Sequence, residues 1–148
     1  MRPITFGRKV FMDEIKNDTL KNATSLELAR AAAKALIEKK ALNVRAYELL
    51  EQSPITDYYV NVTGRSATQV ASLADELAYK LSLCGKDAAR IEGKSGNSWI
   101  LVDYGDVIVH IFNDETRLFY HLERLWTDGG NLQRFDEAKG DFVAPDKQ

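Results

Sequence analysis

The stretch from Trp99 to Phe112, WILVDYGDVIVHIF, constrains the fold of this chain more than any other. It consists of two apolar runs rich in β-branched residues, which flank the short polar segment DYGD. Gly105 can adopt the positive φ that a tight turn requires, so the pattern predicts a β-hairpin with Tyr104 and Gly105 as its two-residue loop.

That register gives the hairpin two unlike faces, because residues opposed across an antiparallel pair project to the same side. It places Asp103 opposite Asp106 and Trp99 opposite His110. The first face is aliphatic and predicts a core surface, with Ile100, Val102, Val107, Val109 and Ile111. The second face is mixed, with Trp99, Leu101, Asp103, Asp106, Ile108, His110 and Phe112. Its apolar centre and polar rim favour a protein contact surface, to which Tyr104 adds an aromatic ring at the tip of the turn.

Composition excludes several classes of protein. The 148 residues suit one domain, and a net charge of −2 with a pI near 5.7 argues against broad nucleic-acid binding. Cys84 is the only cysteine, so no internal disulfide can form and nothing indicates an oxidising compartment. No apolar run approaches the ~20 residues of a membrane span, and the N-terminus lacks a signal-peptide core, so we expect a protein of the cytoplasm or of the equivalent organelle interior.

Two helix starts are marked by residue spacing. Thr24 and Glu27 have the spacing of a capping box before an Ala- and Leu-rich run, and Ser66 and Gln69 repeat it. The second helix is expected to end at Gly85, with the Cys84 thiol buried on its apolar stripe.

Strands are predicted at 42–49, 57–63 and 87–91, and a last helix, capped by Asn113 or Asp114, is predicted over 115–126 after the hairpin. The order α-β-β-α-β-β-β-α predicts an α/β (α+β) domain with a small mixed sheet and flanking helices. Residues 1–22 are expected to form an N-terminal extension with one short helix near 11–16, residues 23–127 the domain, and residues 128–148 a mobile tail.

Asp103 and Asp106 are the residues most suggestive of catalysis. Two carboxylates across a turn could hold Mg²⁺ or act as acid and base, and the turn from Gly64 to Ser66 could receive an anion at a helix start. A small Mg-dependent nucleotidyl or phosphoryl transferase is therefore the alternative function. Against it, neither aspartate has a second carboxylate two residues away on its strand. With two histidines and one cysteine, the sequence favours neither a metal site nor a cofactor.

Several motifs together resemble the ribosomal silencing factor family, also called Iojap. They lie in TDYYVNVTGRSATQVASLADEL, the hairpin and RLFYHLERLW, and the resemblance covers about residues 25–126. No single motif carries it. The set is Thr56-Asp57-Tyr58, Thr63-Gly64-x-Ser66, Glu92-Gly93, Trp99, Asp103-x-Gly105-Asp106, His110 and Tyr120-x-Leu-Glu-x-Leu-Trp126.

The resemblance implies a domain similar to nucleotidyltransferases but without their catalytic carboxylates, and so no enzyme. It implies a homodimer that binds the large ribosomal subunit through ribosomal protein fourteen, with little direct nucleic-acid contact. Bound there, a family member obstructs joining of the small subunit and represses translation when nutrients are limiting. A dimeric scaffold without a ribosomal role is a further alternative. The expected contact residues are Trp99, Leu101, Asp103, Tyr104, Asp106 and His110, with Tyr120 and Glu123 nearby.

Overall fold

The computed structural model describes residues 17–49, 56–96, 98–114, 132–136, 139 and 141–143. Within these ranges lie α1 (Ser25–Glu38), β1 (Leu42–Glu48), β2 (Tyr58–Gly64), α2 (Ala67–Leu83), β3 (Arg90–Glu92), β4 (Trp99–Asp103), β5 (Val107–Asn113), β6 (Leu132–Asp136) and β7 (Asp141–Val143). The short helix predicted near 11–16 and the last predicted helix beyond residue 114 fall outside the described residues. None of the helices described is long and apolar enough to cross a bilayer.

The cap of α1 forms as the sequence predicts. The Thr24 hydroxyl accepts a hydrogen bond from the Glu27 N–H at 3.1 Å, and the Glu27 carboxylate accepts one from the Thr24 N–H at 2.9 Å. Two N–H groups that have no partner inside the helix are thereby satisfied.

The cap of α2 differs in one bond from the predicted capping box. The Ser66 hydroxyl accepts from the Gln69 N–H at 3.1 Å, but the Gln69 side chain accepts from the Arg65 N–H instead of that of Ser66. The helix ends at Leu83, and Gly85 follows with φ +90°. Cys84 is the C-cap and is half-buried, so the expectation of a buried thiol was wrong.

The seven strands form one mixed sheet in the order β3-β4-β5-β2-β1-β6-β7. The central pair β2 and β5 is parallel, whereas the other neighbouring pairs among the described strands are antiparallel. A parallel pair needs a long crossover, and here α2, β3 and β4 make up that connection. The prediction of an α/β (α+β) domain with a mixed sheet and flanking helices is confirmed.

Both helices pack on one face of the sheet, which the aliphatic face of the hairpin forms together with residues of β1 and β2, and this contact forms the core. Its sheet side has the predicted members, which are all 0% exposed: Ile100, Val102, Val107, Val109 and Ile111. Leu28 and Leu36 of α1 and Leu73 and Leu77 of α2 cover them. Burial of each such side chain contributes about 1.5–3 kcal/mol to the stability of the fold.

The hairpin register differs by two residues from the predicted one. Val102 pairs with Val109, and Asp103 pairs with Ile108. The Tyr104 N–H donates to the Val107 carbonyl at 2.9 Å, so Gly105 and Asp106 form the loop in place of Tyr104 and Gly105. Side chains alternate with a period of two, and a shift of two therefore leaves the faces of both strands unchanged.

Part of the expected mobile tail is sheet, so that expectation was wrong for these residues. Strand β6 pairs with β1, and β7 pairs with β6. The C-terminal hairpin of β6 and β7 is attached to α1 through Arg30. The Nε and Nη2 atoms of Arg30 donate to the two carboxylate oxygens of Asp141 at 2.7 and 3.0 Å. Phe142 is partly buried against the core. The domain therefore extends beyond residue 127.

Candidate docking face

The face of β4 and β5 away from the helices holds the residues that the sequence singled out. Trp99, Leu101 and Asp103 alternate along β4 and are each half-buried. We call these three residues the docking row. With side chains on one face about 7 Å apart, the row is about 13 Å long. Together with the exposed Asp106, it makes up the accessible part of the second face of the hairpin.

The other strand of that face is much less accessible than the sequence suggested. His110 is 4% exposed, Ile108 8% and Phe112 0%. The expectation that His110 lies open to a partner was therefore wrong. Strand β5 lies between β4 and β2 towards the centre of the sheet, whereas only β3 lies between β4 and the sheet edge.

Four rings pack together beside the docking row. We call Tyr59, Trp99, His110 and Phe112 the aromatic cluster. The His110 ring meets Tyr59 edge-on at 4.8 Å between centroids and Phe112 edge-on at 5.9 Å. The Trp99 ring lies 5.2 Å from that of Phe112. Edge-to-face geometry at these distances is favourable for aromatic pairs, so the cluster gives the docking row a rigid base.

Trp99 belongs to both the docking row and the aromatic cluster, and a hydrogen bond holds its side chain to His110. The Trp99 indole N–H donates to His110 Nδ1 at 3.0 Å. Burial lowers the pKa of His110 to about 3, because the charged imidazolium would lose its hydration. His110 is therefore neutral at physiological pH.

Tyr59 was not among the residues expected in the site. It lies on β2, beside Ile108 of β5 in the parallel register. The alternation of β2 did place Tyr59 on the same side of the strand as Asn61, two residues away, and this was the signal of its position that the sequence contained. The pairing of β2 with β5 joins distant segments of the chain, and no local pattern specifies it.

Asp103 is held by two groups near the turn. Its Oδ1 accepts from the Gly105 N–H at 2.8 Å, and its Oδ2 accepts from Arg90 Nε at 3.1 Å. Asp106 is exposed in the loop and its carbonyl accepts from the Asp57 N–H at 2.9 Å. The predicted cross-strand pairing of Asp103 with Asp106 was wrong, since Asp103 pairs with Ile108. Asp103 thus has the bonding typical of a turn carboxylate.

Tyr104 points into the core instead of the solvent. It is 5% exposed and packs within the cluster of aliphatic residues under α1 and α2. The burial raises the pKa of its phenol. The expectation of an exposed aromatic ring at the turn was wrong, because the shifted loop places Tyr104 on the same face as Val102.

Other expected site residues can be placed only in part. Tyr120 and Glu123 lie outside the described residues. The described ranges contain no group of three or more His, Cys, Asp or Glu side chains placed to hold a metal ion. At the Gly64 to Ser66 turn, the Arg65 N–H already donates to the Gln69 side chain at 2.6 Å.

Comparison with known proteins gives a consistent result. The model of the family described as "ribosomal silencing factor during starvation" matches residues 22–147. A ribosomal silencing factor of Zymomonas mobilis is 38% identical over 112 residues, which cover 74% of this chain and 84% of that protein. A mouse protein named "mitochondrial assembly of ribosomal large subunit protein 1" is 31% identical over 74% of this chain and 47% of its own length. The crystal structure of a Chromobacterium violaceum protein superposes with a TM-score of 0.66 at 32% identity, over 68% of this chain and 83% of that one.

Proposed function

Because this chain belongs to the ribosomal silencing factor family, we propose that it binds the large ribosomal subunit, chiefly through ribosomal protein fourteen. The bound domain covers a surface that the small subunit must contact, and it thereby represses translation under nutrient limitation. Steric exclusion requires no chemistry, so the protein acts without catalysis and without a cofactor. We further propose that it works in the cytoplasm as a homodimer, with little direct contact to nucleic acid.

The observation that carries this proposal is the docking row. Tryptophan is one of the residue types enriched at the energetic centres of protein interfaces, and Leu101 extends the apolar surface of Trp99. Both lie half-buried on a strand, which orients them without a loop rearrangement. A preorganised patch loses little conformational entropy when a partner covers it.

The charges beside the row suit a basic partner. Asp103 lies at one end of the row, and Asp106 is exposed in the adjoining turn. The Arg90 guanidinium that pairs with Asp103 is 58% exposed. Exposed ion pairs contribute only about 0–1 kcal/mol, so a lysine or arginine of a ribosomal protein can replace Arg90 at little cost. Attraction of that kind also accelerates encounter.

The proposal is tested by sedimentation of the protein with purified large ribosomal subunits, followed by capture of isolated ribosomal protein fourteen. Leu101→Asp places a charge in the apolar part of the docking row, and Asp106→Lys reverses an exposed charge in the turn. Both are expected to reduce co-sedimentation at least tenfold. Asp75→Lys makes the same charge reversal on α2, on the other side of the sheet, and should bind as the native protein does.

Two results would overturn the proposal. One is native-like binding by both Leu101→Asp and Asp106→Lys. The other is failure of the unaltered protein to enter the large-subunit fraction, which is the behaviour expected of a scaffold without a ribosomal role. In a reconstituted joining reaction, the unaltered protein should also lower the yield of complete ribosomes, whereas Leu101→Asp should not.

The transferase alternative finds less support in the geometry. Asp103 has both oxygens engaged, by Gly105 and Arg90, and it is not paired with Asp106 across the strands. A thermal-shift screen of nucleotides with and without Mg²⁺ separates the two functions, because a tight ligand raises the melting temperature. We expect no shift.

A further inference from the structure

We infer that His110 is a positioning residue: it holds the indole of Trp99 in the orientation in which the docking row meets its partner, and does not touch the partner itself. The inference rests on the proposed function, because it assigns Trp99 a role in binding. It changes the role of His110 from a contact residue to a support.

The hydrogen bond between the two rings has only one possible direction. The indole N–H of Trp99 is a donor and has no acceptor capacity. His110 Nδ1, 3.0 Å away, must therefore accept and carries no proton. In a neutral imidazole the proton then resides on Nε2. The contact thus specifies the tautomer of His110.

Burial keeps His110 in the form that accepts this bond under physiological conditions. His110 is 4% exposed, and protonation of Nδ1 would place two N–H groups against each other. Because the same burial holds the pKa of His110 near 3, the accepting form persists throughout the physiological range. The low exposure also keeps the imidazole away from any partner that docks on the face.

The position of His110 is itself fixed by its neighbours. Its ring meets Tyr59 edge-on at 4.8 Å, and its backbone lies beside that of Asn61 in the parallel register. The sheet constrains Trp99 less, because only the three-residue strand β3 lies between β4 and the edge of the sheet. The hydrogen bond therefore restrains the half-exposed side chain of Trp99, near the sheet edge, by linking it to a ring that is fixed at the sheet centre.

Nuclear magnetic resonance tests the geometry on the isolated protein. In a ¹⁵N-labelled sample, the indole signal lost in Trp99→Phe belongs to Trp99, and the imidazole signals lost in His110→Phe belong to His110. We expect His110 to be the Nε2–H tautomer from pH 6 to 8. We also expect the Trp99 indole proton to shift and to exchange faster with solvent in His110→Phe. An Nδ1–H tautomer in the native protein would overturn the inference.

Binding to purified large subunits tests the consequence. His110→Phe removes the acceptor but keeps a ring, and it should weaken binding about three- to tenfold, the effect of one lost hydrogen bond. His110→Gln offers a side-chain oxygen in its place and should restore most of that loss. If His110 acts through the indole N–H, adding His110→Phe to Trp99→Phe should cause no further loss.

The outcomes separate this inference from the proposed function. Equal and native-like affinities of His110→Phe and His110→Gln would overturn the positioning role, as would a full additional loss in the double variant. If the native protein fails to bind large subunits while the tautomer and the indole shift are as expected, the proposed function fails and the support of Trp99 by His110 stands. Melting temperatures of all variants identify any loss due to unfolding.

Discussion

A Cβ atom on Gly93 would lie 2.2 Å from the carbonyl oxygen of Trp99, so the backbone at the end of β3 is in contact with the backbone at the start of β4. Gly93 also has a φ of +94°, which side chains other than glycine rarely adopt. Gly93 of the family motif therefore has a physical role: its missing side chain lets β4 begin where Trp99 joins the aromatic cluster.

Gly93→Ala is predicted to destabilise the fold by about 2 kcal/mol or more, since a backbone clash adds to the strain of a positive φ. Two other glycines separate these effects in urea denaturation. A Cβ atom on Gly105 would meet no atom within 4 Å, but the residue has φ +90°. Gly105→Ala should therefore lower the free energy of unfolding by about 1 kcal/mol. Gly96→Ala also meets nothing within 4 Å and should be near neutral. An equal loss of unfolding free energy in Gly93→Ala and Gly105→Ala would contradict the close approach of the Gly93 and Trp99 backbones.

Asn61 is 0% exposed, and its side-chain nitrogen and oxygen have no hydrogen-bond partner among the described residues. A buried polar group without a partner costs about 1–3 kcal/mol. Asn61→Val removes the amide, suits a strand, and is predicted to raise the free energy of unfolding by about 1 kcal/mol. Asn61→Asp should strongly destabilise, because it buries a charge at the same place. A destabilised Asn61→Val variant would count against an unsatisfied amide.

His110 makes stability depend on pH. Its pKa is about 3 in the native protein, against 6.5 when exposed, so below pH 6.5 the unfolded chain binds a proton that the native state does not. The contribution of neutral His110 to the free energy of unfolding is complete above pH 6.5. It declines as the pH falls towards 3, by about 1.4 kcal/mol per pH unit at most. Between pH 7.5 and 5, we expect the unfolding free energy of the native protein to fall by about 2 kcal/mol more than that of His110→Gln. Equal pH dependence of the two would refute the assignment.

The ion pair between Arg30 and Asp141 should hold the C-terminal hairpin against α1. Hydrogen bonds from Arg30 lower the pKa of Asp141, so this stabilisation is present above pH 3.8 and is lost as the pH falls through the native pKa. Asp141→Asn is predicted to speed amide exchange in β6 and β7 while leaving β2 and β5 protected. High salt should have a similar, smaller effect, because both side chains are about 40% exposed. Lys94→Ala breaks a comparable surface pair with Asp75 and serves as the control.

Local patterns in the sequence predicted the elements that local forces determine. The Thr24 capping box, the apolar stripe of α2 and the alternation of the hairpin each depend on residues within a few positions. The same alternation placed Trp99, Leu101 and Asp103 on one face. These features required no knowledge of distant contacts.

The errors concern contacts between distant segments. Tyr104 was expected in solvent, but the gain from burying its ring under the helices moved the loop by one residue. His110 was expected to be accessible, but exposure depends on what lies around β5, and an alternating strand does not reveal this. The strands β6 and β7 are short and charged, β6 pairs with β1 nearly ninety residues earlier in the chain, and β7 pairs with β6. No periodicity marks them.

The edge of the sheet at β3 has a consequence for the behaviour of the protein at high concentration. An open edge strand is a template for aggregation, since its unpaired N–H and C=O groups can recruit another chain. Here the edge is three residues long, and Arg90 bridges Glu92 and Asp103 across its surface. Another chain added at this edge would have few backbone groups to pair with, and its binding would displace these charged side chains. This edge therefore discourages fibre-like growth, and it leaves the neighbouring strand free to present Trp99 from its face.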